Sequence, residues 1–349
     1  MCFKMFSQDV GIDLGTANTL IYIKGKGIIL KEPSVIAVDT NQGSVYAVGL
    51  QAADMLGRVP ENIKVVRPIK GGVISDYTMT QEMLREFLVK AFKGGKLIKK
   101  NMRVVVGVPS GISNVERRAI EEVIRQMGAK QVFILDEPMA AAIGSGIPVD
   151  EARGHMIADI GGGTSDVAII SLGGIVNSTA LRHAGDDMDE AIVGYMRKTF
   201  GLLIGEKTAE QIKIKIGCVY NQPNEEGVEE EILAMEAKGR DVVSGLPRTV
   251  TVTSMDVVSA LGESVSLIIE AVKTTLENAP PELAADIMVN GMVLTGGCSH
   301  LRGFAELIAH HTGLNVTVAE NALEAVAEGT GNSLSHIDKL KRYVKGSNY

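Results

Sequence analysis

Short runs of apolar residues, many of them Val or Ile, separated by polar turns, open the chain. VGIDLGTANTLIYIKGKGIILKEPSVIAV, from Val10 to Val38, predicts strands broken by glycine turns at Gly15 and at Gly25 to Gly27, a β-meander. HMIADIGGGTSDVAIISLGGIVNSTALRHAG, from His155 to Gly185, repeats the plan: apolar strand, Asp, glycine-rich turn with Thr, apolar strand, turn, third strand. Asp13 and Asp159 hold the same place in the two copies. A repeat at that distance is too long for a solenoid and points to a duplicated domain.

Between the copies the pattern switches between strand and helix. Arg103 to Gly111 (RVVVGVPSG) predicts a buried strand, and ISNVERRAIEEVIRQMG follows with helical apolar spacing. Ser113 and Glu116 form a capping-box pattern, and Gly128 stands where that helix ends. QVFILDEP predicts another strand, ending at Asp136 and Glu137, with Pro138 in the first turn of the next helix. Residues 206–217 read as a helix, 249–253 (TVTVT) as a strand, and Ser254 as the cap of a helix continuing through Leu276. Pro280-Pro281 punctuates the chain before a further helical stretch, and GMVLTGGCSHLRGFAELIAHHTG closes with strand, glycine turn and helix. Strands alternating with helices indicate an α/β sheet with helices on its faces, and such sheets bind ligands at strand ends.

Composition narrows the classes. At 349 residues the chain suits two or so domains, and 45% hydrophobic with 22% charged residues is ordinary for a folded globular protein. A net charge of −7 argues against a nucleic-acid partner. Cys2, Cys218 and Cys298 form no CxxC pair and no disulfide framework, which fits a reducing compartment, the cytosol. No apolar run is long enough to span a bilayer, and MCFKMF is too short for a signal peptide. The acidic stretch from Asn224 to Asp241 reads as a solvated face, and His310-His311 lack partners at metal-ligand spacing.

The chemistry concentrates in the glycine turns. GTANT at 15–19 and GGGTSD at 161–166 are each entered from an apolar strand that carries an Asp. Glycine there lets backbone N–H groups approach phosphate oxygens, and the threonine hydroxyls add donors. One such turn alone could be a plain hairpin; two matching copies make that reading poor. Asp13 and Asp159, brought together across a cleft, would suit Mg²⁺ held through its waters. Neither turn has the GxxxxGK[ST] spacing of a P-loop, and the motif order fails for a Rossmann dinucleotide site.

DLGTANT, DEPMAAAIG, DIGGGTSDVAIISLGGIV, GEKTAEQIKIKIG and LTGGCSHLRG together resemble the ATP-site segments of the actin, DnaK-type chaperone and sugar-kinase superfamily, across nearly the whole chain. Within it, DLGTANT, VPSGI, ELAADIM and the overall length are similar to the MreB family of bacterial cell-shape proteins, MreB and paralogues such as Mbl.

The resemblance implies an actin-like α/β fold of two duplicated lobes, each with a mixed sheet flanked by helices. Lobe I would take residues 1–143 plus 322–349, with a small subdomain inserted at about 32–75; lobe II would take 144–321, with one at about 182–248. ATP with Mg²⁺ would lie between the lobes. Thr16, Ala17 and Asn18 would face the β-phosphate, and Gly162, Gly163 and Thr164 would close over the γ-phosphate. Glu210 and Lys213, three apart on one helical face, would reach the ribose. Gly296, Gly297, Cys298 and Ser299 would make room for adenine; the family more often has a third glycine and a small residue, so Cys298-Ser299-His300 is a departure. Glu137, assisted by Thr164, would position the attacking water, as a carboxylate of ordinary pKa too weakly basic to remove a full proton. With no arginine finger evident, hydrolysis should be slow.

Residues 90–103, KAFKGGKLIKKNMR, carry Lys90, Lys93, Lys96, Lys99, Lys100 and Arg103 without an acid, around Phe92, Leu97 and Ile98. Basic and apolar side chains on a glycine-containing loop suit an anionic lipid surface, and Leu97-Ile98 match the family's apolar membrane loop. Phe3 and Phe6 flank Lys4 as a possible second anchor. The implied partners are therefore the chain itself in filaments, the inner face of the cell membrane, where it would be a peripheral cytoplasmic protein, and membrane proteins of cell-wall elongation. Two other classes share the motifs. A DnaK-type chaperone would carry a peptide-binding domain after the ATPase, and a small-molecule kinase would need a second substrate pocket and a base poised over it.

Overall fold

The computed structural model describes residues 9–92, 102–220 and 231–336. The chain opens with β1 (Asp9–Leu14), β2 (Asn18–Ile23) and β3 (Gly27–Pro33), an antiparallel meander that turns at the glycines named above. A small sheet follows from β4 (Ile36–Asp39), β5 (Ser44–Val48) and β6 (Ile63–Val66), with helix α1 (Leu50–Asp54) between its last two strands. A two-residue-per-strand hairpin, β7 (Ile69–Lys70) and β8 (Val73–Ile74), leads to α2 (Tyr77–Ala91). Then come β9 (Met102–Val108), α3 (Asn114–Gln126), β10 (Ala129–Asp136) and α4 (Glu137–Gly144). The capping box on α3 forms as expected, with Ser113 Oγ accepting from the Glu116 N–H and the Glu116 carboxylate accepting from the Ser113 N–H.

The second half repeats this build with β11 (His155–Ile160), β12 (Ser165–Ser171) and β13 (Gly174–Leu181). Its own small sheet follows α5 (Gly185–Phe200) and consists of β14 (Leu202–Leu203), β15 (Ala234–Asp241) and β16 (Pro247–Thr253), with α6 (Glu206–Ile216) leading between β14 and β15. The long α7 (Ser254–Glu277), α8 (Pro281–Asn290), β17 (Met292–Thr295), a 3₁₀ turn at Gly297–His300, α9 (Phe304–Thr312), β18 (Val316–Val318) and α10 (Ala325–Ser333) complete the chain. The cap of α7 is Thr253 rather than Ser254: Thr253 and Asp256 form a capping box one residue earlier, and Ser254 Oγ instead accepts from the Leu233 N–H. Of the acidic stretch, the part from Ala234 to Asp241 is strand β15; residues 221–230 lie outside the described set.

The two large sheets are topological copies. In the first the order is β10-β9-β1-β2-β3, and in the second β13-β12-β11-β17-β18. In each, the Asp-bearing strand is central, antiparallel to the strand after it and parallel to a later one: β1 to β2 and β9, β11 to β12 and β17. One apolar core, including Phe87, Val104 and Ile124, fills lobe I, and another, including Ile192, Leu261 and Phe304, fills lobe II. A third cluster joins them through α4 and α10, with Phe133, Leu135 and Met139 meeting Ile157, Ile170 and Val326. There the helices cross so closely that a Cβ added at Gly144 or Gly329 would run into the carbonyl of Ala325 or Ala140. Glu137 of α4 and Val326 of α10 also line the cleft between the lobes.

Candidate functional site

The cleft has a volume of about 380 Å³ and receives both glycine turns. Thr16, Ala17 and Asn18 line it from lobe I, and Gly162, Gly163 and Thr164 from lobe II. The two turns touch. A Cβ added at Gly162 would lie 2.6 Å from Ala17 Cβ, and one at Gly163 would overlap the Thr16 side chain, so glycine is what permits this approach. Gly72, in the β7–β8 hairpin, donates its N–H to Thr16 Oγ1 at 2.9 Å, holding the first turn from behind.

Buried carboxylates form the floor. Asp13 and Asp159 both line the cleft, each near the C-terminal end of its central strand. Burial first, and then the charge of Asp159, pushes the Asp13 carboxyl up to about 7. Burial raises Asp159 to about 6, against the opposing effect of Thr295 Oγ1, which donates to it at 2.8 Å. Glu137 opens α4, is 6% exposed, and faces the same cleft. Its carboxyl is held well above the usual carboxylate range, chiefly by burial and then by Asp166, Asp13 and Asp159. The ordinary pKa expected for Glu137 is therefore wrong for this setting: three neighbouring acids in a dry floor favour its protonated form.

Asp166 lies behind this floor, fully buried, and burial raises it to about 6. Its Oδ1 accepts from Ser110 N at 2.8 Å and Ser110 Oγ at 2.5 Å, a bond from the strand end of lobe I into lobe II. Its Oδ2 has no donor among the described residues. A floor with this much negative charge and so few donors fits a cation. No group of three or more His, Cys, Asp or Glu side chains disposed as direct metal ligands occurs among the described residues.

On the opposite wall, Glu210 and Lys213 share the cleft-facing side of α6. Lys213 is already engaged: its Nζ lies 2.9 Å from Asp189 Oδ1 and donates to the Gly185 carbonyl at 2.6 Å, tying α6 to the start of α5. Gly296, Gly297 and Cys298 line the cleft, whereas Ser299 does not. Ser299 is buried and donates to the Gly296 carbonyl at 2.6 Å, so its role is to close the 3₁₀ turn. Cys298 Sγ donates to the Gly161 carbonyl at 3.3 Å, and burial pushes its thiol up to about 11. Asp186 and Asp189 on α5 are site residues that the sequence reading missed; the acid-rich GDDMDE after a glycine was their signal.

The loop residues Leu97 and Ile98, with Lys93, Lys96, Lys99 and Lys100, and the segment holding Phe3 and Phe6, lie outside the described residues. Both ends of the basic stretch have partners within lobe I. Lys90 Nζ bonds Glu32 Oε1 at 3.1 Å and lies over the Phe87 ring, and Arg103 grips Asp9 through two bonds of 2.7 and 2.5 Å. Phe92 packs against the lobe I core. Lys90, Arg103 and Phe92 are thus tied into lobe I. His310 stacks near the Tyr220 ring, with centroids 5.8 Å apart. No described helix is long and apolar enough to cross a membrane.

Duplicated lobes whose central strands deliver paired glycine turns to a shared cleft define the actin-like fold, and solved structures agree. The structure of MreB 5 of Spiroplasma citri bound to AMPPNP superimposes with a TM-score of 0.89 at 37% identity, covering 96% of this chain and 98% of that one. The MamK double helical filament matches at a TM-score of 0.78 over 95% of this chain and 99% of that one, at 22% identity, a likeness of fold. In sequence, residues 7–342 match the model of the MreB/Mbl protein family. The cell shape-determining protein Mbl of Bacillus subtilis is 47% identical over 97% of this chain and 99% of its own length, and MreB of Escherichia coli K12 is 49% identical over 96% and 95%. The chain belongs to the MreB/Mbl family.

Proposed function

We propose that this protein is an ATP-binding, slowly ATP-hydrolysing cytoskeletal protein that polymerises on the inner face of the cell membrane and determines rod shape by organising cell-wall synthesis. The observation that carries the nucleotide part is the meeting of the Thr16 and Gly162 turns in the cleft that the buried pair Asp13 and Asp159 also lines. The relatives add weight: Spiroplasma citri MreB5 has been solved with both AMPPNP and ADP, and the MamK structure is a filament.

In this reading the backbone N–H groups at Thr16 to Asn18 and at Gly162 to Thr164 hold the phosphates from opposite lobes. Mg²⁺, when bound near Asp13 and Asp159, supplies positive charge that stabilises their ionised forms and screens the phosphate oxygens. Glu137 accepts a hydrogen bond from the attacking water, with Thr164 as the second orienting group. Burial makes the Glu137 carboxylate a stronger base than a free one while reducing the fraction that is ionised. Gly296, Gly297 and Cys298 leave a wall on which a base can lie, and Glu210 is the group free to take a ribose hydroxyl. The engagement of three cations at the cleft supports slow hydrolysis: Lys31 is held by Glu324 at 3.1 Å, Lys213 by Asp189, and Arg302 donates to the Gly217 and Glu231 carbonyls. None is poised as an arginine finger.

Closure of the lobes would set whether the ends of neighbouring subunits fit. Membrane contact would come from Leu97, Ile98 and the lysines around them, with Phe3 and Phe6 as a second anchor, each weak alone and multiplied along a filament. Membrane proteins of wall elongation would bind the assembled polymer. Phosphate release tests the catalytic reading: with MgATP the protein releases phosphate slowly, Glu137→Gln binds ATP but loses release, and release unchanged in Glu137→Gln would overturn that role.

A further inference from the structure

The two lobes are bonded to each other by side chains as well as by the α4–α10 seam. Glu116 on α3 accepts from Arg182 at the end of β13 at 2.9 Å. Arg67, just past β6, stands 3.8 Å from Asp186 on α5. Farther out, Lys207 in the first turn of α6 donates to Asp54, the last residue of α1, at 2.7 Å. This last pair joins the two small subdomains. Lys207 is also one turn from Glu210 on the helix that walls the cleft.

We infer that Asp54 and Lys207 form a latch between the small subdomains that governs nucleotide release from the cleft; the inference rests on the nucleotide reading above. Neither residue lines the cleft, so the pair does not contact the ligand. Its effect is on opening: α1 belongs to one lobe and α6 to the other, and separating them to let a nucleotide escape must break the bond. Both side chains are largely solvent-exposed, at 59% and 42%, which makes the bond weak and quick to reform. That exposure also makes it salt-sensitive. The α4–α10 seam joins the lobes independently of this pair, so the latch adjusts release without holding the fold together.

The test uses the full chain, at a concentration below that of assembly, loaded with a fluorescent ATP analogue and Mg²⁺ and chased with excess unlabelled ATP. Lys207→Glu and Asp54→Lys should each speed release about two- to fivefold, the range expected from losing an exposed ion pair. The double exchange Asp54→Lys/Lys207→Glu, which restores opposite charges, should return release to within about twofold of the parent. Raising salt from about 0.05 to about 0.5 M should speed the parent and, by screening the like charges of the single variants, slow those variants, so that the rates converge. Single variants that release at the parental rate would overturn the latch while leaving the nucleotide reading intact, and so would a double exchange as fast as either single. A parent that fails to bind the analogue at all would overturn both.

Discussion

Replacing Asp159 by Asn should make the nucleotide-free protein more stable while removing the magnesium dependence of ATP binding. The carboxyl of Asp159 is held at about 6, against 3.8 in an unfolded chain, because it is buried. A raised acid contributes its stabilisation below the unfolded pKa and loses it as pH rises through the folded one. At pH near 8 the ionised Asp159 therefore costs the folded state roughly 3 kcal/mol, at 1.36 kcal/mol for each tenfold in proton affinity. Asparagine keeps the shape, its carbonyl oxygen can still accept from Thr295 Oγ1, and the amide N–H donors it adds stand at the cleft that residue 159 lines. It also lifts the charge that raises Asp13. The expected result is a rise in Tm on the order of 5 °C for metal- and nucleotide-free protein at pH 8, reduced to about half at pH 5 and shrinking toward zero only below about pH 4. Differential scanning fluorimetry after exhaustive chelation reads the first part, and calorimetric titration with ATP, with and without Mg²⁺, reads the second. A Tm lowered by several degrees, in a variant with unchanged circular dichroism, would refute the view that this floor is unfavourably charged until a cation arrives.

The same electrostatics predict a pH profile for the parent protein. With Asp13 at about 7 and Asp159 and Asp166 at about 6, stability of the nucleotide-free form should increase as pH falls from 8 to about 5, a trend that saturating MgATP should flatten; Tm against pH in the two states measures it. Gly163→Val places a branched side chain against Thr16, and it should weaken ATP binding at least tenfold while circular dichroism stays parental. Ser110→Ala removes the hydroxyl donor to Asp166 Oδ1 and leaves the buried carboxylate only the backbone N–H of residue 110, which should destabilise the protein by about 1–2 kcal/mol in urea unfolding at pH 8, and by less at pH 5.

Much of this architecture was legible because its signals are local. The meander at Val10 to Val38, its repeat from His155, the S-x-x-E cap at Ser113 and the Pro138 helix start depend on residues within one element, and each formed where expected. The cap of α7 was displaced by one residue because Thr253 serves both as the last strand position and as N-cap, so β alternation and capping chemistry overlap there. The failures lie where distant segments meet. Lys90 and Arg103 read as part of a basic stretch without an acid, and only the fold brings Glu32 and Asp9 to them. Ser299 looked like a base-pocket residue until the 3₁₀ turn pointed its hydroxyl at Gly296. The shifted carboxyl of Glu137 likewise comes first from burial and then from Asp166, Asp13 and Asp159, which no spacing in the sequence places beside it.

The central claim, an ATP-dependent filament on a membrane, is tested most directly by co-sedimentation with anionic liposomes with and without MgATP, followed by electron microscopy of the pellet. The account predicts membrane-bound filaments with MgATP, lost on Leu97→Ser/Ile98→Ser substitution. A protein that binds ATP yet stays monomeric and soluble under every condition would contradict it.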